Sequence, residues 1–342
     1  MRFPSVHPDE EPVARFVEGW ARDRGLDVTR DDTAVRVVVH GGPGPVLALL
    51  SHLDVVPAGE GWTRAPFEPV IEGDRLYGRG AGDAKASVSA MLHAAADAAA
   101  RGSLRGTLVV ILGYAEETKH TTMGRAVEAF GRIDAALVGE PTNLDFAIAQ
   151  RGLMMVDLVA KGDQRHAGYA AQEGGDFTNA AVRLAGDLVK LGELFADRLH
   201  PVLGRVTATP TMLEGGISRN VTPPSAKAVL DIRSTPSWSH GEIAAELRRA
   251  LRSEVVVTST RLVPCETPAA SRLLACLERV HPAGKRFGSP TCSDWVFVNH
   301  LDAVKVGPGT SRRSHTPDEC VDLPEVVAAR GLYGAVAAEY LA

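Results

Sequence analysis

Histidines and acidic residues occur along this chain in an order that could build a metal centre. They are His52, Asp83, Glu117, Glu140 and His315. Neutral imidazole and carboxylate oxygen are ligands that zinc accepts, and one carboxylate can bridge two ions about 3.5–4 Å apart. Two imidazoles and three carboxylates are enough for a two-metal hydrolytic site, which is the chemistry that this set predicts.

Two more acids lie beside these candidate ligands. Asp54 is two residues beyond His52, so in an extended segment both side chains point the same way and the carboxylate can orient the imidazole. Glu116 precedes Glu117, and in a turn after a strand one of them can hold metal while the other faces the attacking water. Glu116 is therefore the candidate general base, and Asp54 is the candidate orienting acid.

Alternating strands and helices are expected to position these residues. Apolar runs predict strands at residues 34–39, 46–50, 108–112 and 135–138. Apolar residues at helical spacing predict helices at 9–25, 87–100 and 123–130. Open α/β sheets hold their sites in loops beyond the carboxyl ends of strands, and the candidate ligands fall at or just after such ends.

The middle of the chain follows a different pattern. It predicts a strand at 153–160, a helix at 179–194, strands at 205–213 and 226–232, a helix at 241–251 and a strand at 255–262. This β-α-β-β-α-β order is typical of a ferredoxin-like domain. Later helices at 271–280 and 325–340, with a short strand at 304–306, return the chain to the first domain. We therefore predict a catalytic domain from residues 1–151 and 263–342, and an inserted domain over 152–262.

Composition fits an enzyme that acts on small molecules. The 342 residues are 45% hydrophobic, which is enough for two domains. The net charge is −5 and the basic residues are dispersed, so neither nucleic acid nor a membrane surface is expected as a partner. There is no leader pattern, no membrane-spanning apolar run and no C-x-x-C pair, and these observations predict a cytoplasmic location.

The motifs together resemble a known family. They are His52-Leu53-Asp54, the glycine-rich segment before Asp83, Glu116-Glu117, Gly-Glu-Pro-Thr at Glu140, and Ser-His-Thr-Pro-Asp-Glu at His315. From about residue 10 onward the chain resembles the di-zinc aminoacylase and carboxypeptidase family that includes acetylornithine deacetylase and succinyl-diaminopimelate desuccinylase. The resemblance implies an α/β fold: a zinc-peptidase-like mixed sheet domain flanked by helices, with an inserted ferredoxin-like α+β lid and dimerisation domain.

The resemblance also implies a role for each ligand. One ion takes His52 and Glu140, the other takes Glu117 and His315, and Asp83 bridges them. The general base falls on the acid before Glu117, in agreement with the argument from the residues. The two divalent ions are expected to be zinc, with cobalt as an alternative.

Three further residues match substrate-binding positions of the family. His166 stands in a segment that resembles one found in the family. In family members, the histidine of that segment reaches into the active site of the partner subunit of a homodimer and stabilises the developing oxyanion. Asn220 and Arg233 match positions that bind the substrate carboxylate, for which an arginine fork is suited. The simpler alternatives are a surface histidine, an asparagine that caps a turn and an arginine in a structural ion pair.

The segment from Gly307 to Glu319 looks most like one branch of the family. That branch handles acetylornithine, acetylcitrulline and acetyl-lysine or its carrier-protein-linked form, so we predict such a deacetylase of arginine or lysine biosynthesis. A desuccinylase, dipeptidase or carboxypeptidase on the same scaffold is the first alternative, and Arg312 or Arg313 could supply the basic group that a succinyl carboxylate needs. A non-catalytic binding module is the second, but it predicts a lost ligand or base, and none is lost.

Some positions differ from the family pattern or stand outside it. Ala115 occupies the place of the acid that usually precedes the two glutamates. Trp295 lies in a segment that resembles a pocket-lining loop, which makes it a candidate for specificity. The remaining histidines, including His120, are interpreted as structural or surface residues.

Overall fold

The computed structural model describes residues 1–170 and 179–342, which form two compact units. The larger unit contains Met1–Ile148, Glu266–Phe287 and Ser293–Ala342. The smaller unit contains Ala149–Cys265 and Gly288–Cys292. Among the residues described, no helix is both long enough and apolar enough to cross a membrane.

The strands are numbered in chain order. They are β1 (Asp27–Arg30), β2 (Ala34–His40), β3 (Val46–His52), β4 (Val70–Glu72), β5 (Arg75–Tyr77), β6 (Thr107–Gly113), β7 (Ala135–Val138), β8 (Phe146–Gln150), β9 (Gly152–Lys161), β10 (Thr207–Gly215), β11 (Ser225–Ser234), β12 (Glu254–Leu262), β13 (Cys265–Glu266), β14 (Arg286–Ser289), β15 (Asp302–Lys305) and β16 (Cys320–Asp322).

The helices alternate with these strands along much of the chain. They are Glu11–Arg22, Lys85–Arg101, Thr122–Phe130, Ala167–Ala170, Ala180–Lys190, His240–Ala250, Arg272–Val280 and Leu323–Tyr340, with a 3-10 helix at Asp294–Val298.

A mixed sheet forms the centre of the larger unit, with strand order β1-β2-β6-β3-β7-β15-β8. β3 pairs in parallel with both β6 and β7, and β7 pairs in parallel with β15. β2 pairs antiparallel with β1 and β6, so the sheet is mixed as predicted. Because β3 lies between two strands and beneath helices, Leu47, Leu49 and Leu50 are fully buried.

Helices cover this sheet with small and branched apolar side chains. Lys85–Arg101 presents buried alanines together with Met91, and it packs against Leu323–Tyr340. Alanine carries little side chain, so the two helix axes can approach closely. The shared core joins these helices to the apolar residues of β2, β3 and β6.

The smaller unit is a four-stranded antiparallel sheet of order β10-β11-β9-β12 with helices Ala180–Lys190 and His240–Ala250. Burial alternates along β9 and β11, as expected for strands with one face against a core. Ser239 and Glu242 form a capping box that starts His240–Ala250. The element order and the strand order confirm the predicted ferredoxin-like α+β pattern.

Candidate functional site

His52 ends β3 and is buried, with 1% of its surface exposed. Its Nδ1 lies 3.0 Å from the backbone oxygen of Asp54 and 3.5 Å from the Asp54 carboxylate. These contacts turn Nε2 towards Asp83 Oδ1 at 3.3 Å and Glu140 Oε1 at 3.9 Å. A proton on Nδ1 therefore leaves Nε2 as the free donor atom for a metal ion.

Asp83 lies between two groups of candidate ligands. Oδ1 faces His52, and Oδ2 lies 3.6 Å from His315 Nε2. Nε2 of His315 also contacts the two carboxylate oxygens of Glu117, at 3.0 and 3.1 Å. The five predicted ligands thus form two sets that share Asp83, which is the arrangement needed to hold two ions.

Asp54 is fully buried and joins the end of β3 to the turn after β6. Its Oδ1 accepts a hydrogen bond from the backbone N–H of Glu116 at 3.1 Å, and Oδ2 accepts one from Glu117 at 2.9 Å. Ala115, at the start of this turn, is buried and has a left-handed φ of 54°. The same acid that contacts His52 therefore also fixes the backbone of both glutamates.

A buried ion pair supports the loop that carries Asp83. Glu319 and Arg79 are each 1% exposed, and Arg79 Nη1 donates to Glu319 at 2.7 Å. The Glu319 carboxylate also accepts hydrogen bonds from the backbone N–H groups of Gly80, Gly82 and Asp83, at 3.1, 2.9 and 3.0 Å. One carboxylate thus accepts hydrogen bonds from three backbone N–H groups of this loop.

The electrostatics of the site fit a bound cation. Burial raises the pKa of Glu116 well above its usual range. Burial, together with the negative charge of the neighbouring Asp83, raises the pKa of Glu140 to about 8. Burial alone would lower the pKa of His52, but hydrogen bonds with Asp54 and Asp83 raise it well above its usual value. Carboxyl groups crowded in this way are stabilised in their ionised form by divalent metal, so the residues present suit such ions.

Sequence reasoning missed two neighbours of Glu116. His120, interpreted above as structural or surface, is buried beside Glu116, with its Nδ1 3.2 Å from Glu116 Oε1. Asp294 Oδ1 lies 3.6 Å from His120 Nε2, and burial raises the pKa of Asp294 to about 7. A histidine four residues after a candidate base was the available clue, whereas nothing in the sequence joins residue 294 to residue 120.

Trp295 lies in the protein interior. Its side chain is fully buried in the 3-10 helix Asp294–Val298. Burial of a large aromatic ring serves packing. Any influence of Trp295 on specificity would therefore act through packing of the segment that carries it, and the role stays a prediction.

The three predicted substrate-binding residues lie in the smaller unit. His166 and Asn220 are exposed, and the N–H of Ala167 donates to the backbone oxygen of Asn220 at 2.8 Å. Arg233 forms a two-point ion pair with Asp231, at 2.7 and 3.0 Å. The structure thus places His166 beside Asn220, while the guanidinium of Arg233 has an internal carboxylate partner.

Two arginines precede His315. Arg313 lies 3.7 Å from the carboxylate of Asp322. Arg312 is exposed, and within the described residues it forms no ion pair. An exposed guanidinium with no internal partner can bind an external carboxylate.

Comparisons with known proteins show which family the chain resembles. The model of peptidase family M20/M25/M40 matches residues 48–339. A succinyl-diaminopimelate desuccinylase of Xanthomonas euvesicatoria pv. vesicatoria (strain 85-10) is 32% identical, over 86% of this chain and 83% of that protein. A succinyl-diaminopimelate desuccinylase of Stenotrophomonas maltophilia (strain R551-3) is 31% identical, over 96% of this chain and 94% of that protein.

Solved structures share the fold. The M20 family metallo-carboxypeptidase Sso-CP2 of Sulfolobus solfataricus superimposes with a TM-score of 0.79 at 19% identity, over 99% of this chain and 97% of that one. A dinuclear metal-binding M20 peptidase of Bacillus subtilis superimposes with a TM-score of 0.75 at 16% identity, over 99% of this chain and 95% of that one. The family match covers most of the chain and includes all five predicted ligands, so the chain belongs to peptidase family M20/M25/M40 and is a metal-dependent amide hydrolase.

Proposed function

We propose that the protein hydrolyses the amide bond of an N-acyl amino acid at a two-zinc centre. The observation that carries this proposal is the shared position of Asp83, whose two oxygens face His52 and His315 respectively. His52 and Glu140 would hold one ion, and Glu117 and His315 the other. Imidazole and carboxylate donors suit zinc, and cobalt is the alternative.

Glu116 acts as general base in this proposal. Bound zinc would polarise the amide carbonyl and make water more acidic. Glu116 accepts a proton from the attacking water as the water oxygen bonds to the acyl carbon. When the carbon–nitrogen bond breaks, Glu116 gives that proton to the leaving amine, so the products are a carboxylic acid and a free amine. Asp54 keeps His52 and the backbone of Glu116 in place throughout.

N-succinyl-diaminopimelate is the leading substrate. The support comes from the curated relatives, which carry that specificity in their names at 31–32% identity. Arg312 adds to it, because an exposed cation three residues before His315 is available for the free carboxylate of a succinyl group. N-acetylated ornithine, citrulline or lysine is the second candidate, since the segment from Gly307 to Glu319 resembles the deacetylase branch.

We further propose a homodimer in which His166 acts in the site of the partner. β10 is an edge strand of the smaller unit, and it exposes Met212 and Leu213 at 55% and 64%. Edge strands present unpaired backbone groups that can bind a second strand, and exposed apolar residues add to the tendency. Stabilisation of the oxyanion is the role proposed for His166.

The decisive experiment measures amine release by zinc-loaded and chelator-stripped protein. The substrates are N-succinyl-diaminopimelate, N-acetylornithine, N-acetylcitrulline, N-acetyl-lysine and simple dipeptides. Zinc-dependent turnover of the succinyl compound is expected. Turnover confined to one acetylated amino acid would move the function to the second candidate, and silence with two bound zinc ions would point to a carrier-linked substrate or to a non-catalytic protein.

The role of Arg312 has its own test. Arg312→Ala should raise KM for the succinyl substrate while leaving KM for acetylated amino acids unchanged. Arg313→Ala is the matched control, because that arginine already lies beside Asp322. Equal effects of Arg312→Ala on both substrate classes would show that Arg312 does not contact the acyl group.

A further inference from the structure

The imidazole of His120 lies beside the carboxylate of Glu116. Nδ1 of His120 lies 3.0 Å from the backbone oxygen of Glu116 and 3.2 Å from its Oε1. A proton on Nδ1 can be donated to both oxygens, which links the side chain of the base to its own backbone. Side-chain exposure is 10% for Glu116 and 8% for His120, so little water competes for this contact.

The imidazole of His120 is itself held on its other sides. Asp294 Oδ1 lies 3.6 Å from Nε2, and the ring of Phe297 lies 5.5 Å from the imidazole ring. Asp294 has 3% of its surface exposed, and its Oδ2 is buried without a hydrogen-bond partner among the described residues. When Nε2 also carries a proton, this buried carboxylate attracts the imidazole and restricts its orientation, as carboxylates do for histidines in many active sites.

The backbone places the histidine and the base on one closed turn. The N–H of His120 donates to the backbone oxygen of Ala115 at 2.7 Å. Ala115 and His120 both have left-handed φ angles, of 54° and 49°. Non-glycine residues enter this region at a cost, and here the conformation brings the imidazole back over Glu116.

We propose that His120, oriented by Asp294, is a positioning residue that fixes the carboxylate of Glu116 in the direction of the attacking water. The inference rests on the proposed function, since it takes Glu116 as the general base. A base that can rotate spends part of its time out of reach of the water proton. Misplacement of a reacting group by about 1 Å can cost roughly 100-fold in rate.

Substitutions of His120 can test the contact of Nδ1 with Glu116 separately from the contact of Nε2 with Asp294. The amide nitrogen of asparagine can occupy the place of Nδ1, whereas that of glutamine reaches the place of Nε2. His120→Ala and His120→Gln should therefore lower kcat roughly 10- to 100-fold, with KM and the zinc content unchanged, and His120→Asn should restore most of the loss. His93→Ala is the matched control, because His93 also contacts a backbone oxygen, that of Ser89 at 2.8 Å, and packs on the ring of Trp20.

The contribution of Asp294 is tested by a double-mutant cycle. If Asp294 acts through His120, Asp294→Ala lowers kcat in the wild-type background and has no further effect in His120→Ala. Additive losses would mean that Asp294 acts independently of the histidine, and that part of the proposal would be overturned.

A crystal structure of zinc-loaded His120→Ala gives a readout that does not depend on turnover. The side chain of Glu116 should leave its wild-type orientation or become mobile. An unchanged Glu116 orientation, or a full kcat in His120→Ala, would overturn the proposal. Failure of the wild-type protein to hydrolyse any substrate would instead count against the proposed function, and the crystal structure would still decide the role of His120.

Discussion

At the scale of single residues, the site was largely predictable because its chemistry needs particular residue types. Metal ligands must be imidazole or carboxylate, and the structure brings His52, Asp83, Glu117, Glu140 and His315 together. Their individual roles as ligands stay predictions until metal is bound. The contact between His120 and Asp294 could not be predicted, because 174 residues separate them and the contact depends on how the chain folds.

Replacement of the candidate base tests the central role at this scale. Glu116→Gln keeps the size of the side chain but removes its ability to accept a proton. We expect kcat to fall roughly 10²- to 10⁴-fold, the usual contribution of a general acid–base group. Two metal ions per chain should remain, which metal analysis would verify.

The neighbouring position supplies the control for this prediction. Glu117→Gln alters a candidate ligand, so it should reduce the metal content as well as the activity. If Glu116→Gln lost metal and Glu117→Gln did not, the roles of base and ligand would have to be exchanged.

At the scale of elements, periodicity predicted the long strands and helices, and the three-residue strands were missed. β4, β5 and β16 have three residues each, too few to show an alternating pattern. β16 follows Glu319 directly and pairs with β5, so it holds the Glu319 carboxylate near the Asp83 loop. Contacts between short segments that are far apart in the sequence cannot be predicted from a local residue pattern.

The ion pair of Glu319 with Arg79 gives a prediction for this loop. Glu319→Gln replaces one of the two accepting carboxylate oxygens with an NH2 donor, so the loop N–H groups bonded to that oxygen lose their acceptor, and the buried guanidinium of Arg79 loses its charge partner. Zinc affinity should fall roughly 10- to 100-fold, as expected when the support of a metal ligand is lost. Titration of zinc against a competing chelator would measure it.

An exposed ion pair provides the comparison for Glu319. Glu72 pairs with Arg64 near the surface, where water screens the charges and such pairs contribute little to stability. Glu72→Gln should therefore leave zinc affinity unchanged. Equal zinc affinities for both variants and the wild type would show that the loop holds its shape without Glu319.

Asp187 gives a prediction for the smaller unit. It is buried in the helix Ala180–Lys190 and accepts hydrogen bonds from the N–H groups of Arg252 and Ser253 and from the Ser253 hydroxyl. Burial alone would raise the pKa of Asp187, but these hydrogen bonds lower it below its usual value. Asp187→Asn should reduce the free energy of unfolding by about 1–3 kcal/mol at neutral pH.

The pH dependence of this effect follows from the direction of the shift. A carboxyl group with a lowered pKa stabilises the folded state above its unfolded pKa of about 3.9, and this contribution disappears as the pH falls through the folded pKa. The difference in unfolding free energy between wild type and Asp187→Asn should therefore shrink in acid, as urea unfolding at several pH values would show. A constant difference would mean that the charge of Asp187 is not involved.

At the scale of the whole molecule, the order of elements predicted both folds but not the surfaces. Strand order within the smaller unit leaves β10 and β12 as its edges, and only the structure shows which apolar side chains β10 exposes. Surface exposure depends on neighbours from other elements, so a sequence pattern cannot give it. The predicted dimerisation role of this unit remains a proposal.

One substitution tests the dimer. Leu213→Glu places a charge on the exposed face of β10, and burial of a charge without a partner is costly. If this edge forms the dimer interface, the variant should sediment as a monomer under conditions in which the wild type is a dimer. Val327→Glu, an equally exposed position in the larger unit, should have no effect. A variant that sediments like the wild type would place the interface elsewhere.

The contact between His315 and Glu117 joins residues that are 198 positions apart. A ribosome adds about 5–20 residues per second, so roughly 10–40 s pass between the synthesis of one ligand and the synthesis of the other. Throughout that interval the nascent chain carries Glu117 without its imidazole partner and the Asp83 loop without the acceptor that Glu319 provides. A complete metal centre can therefore form only late in synthesis, after the entire smaller unit has been made.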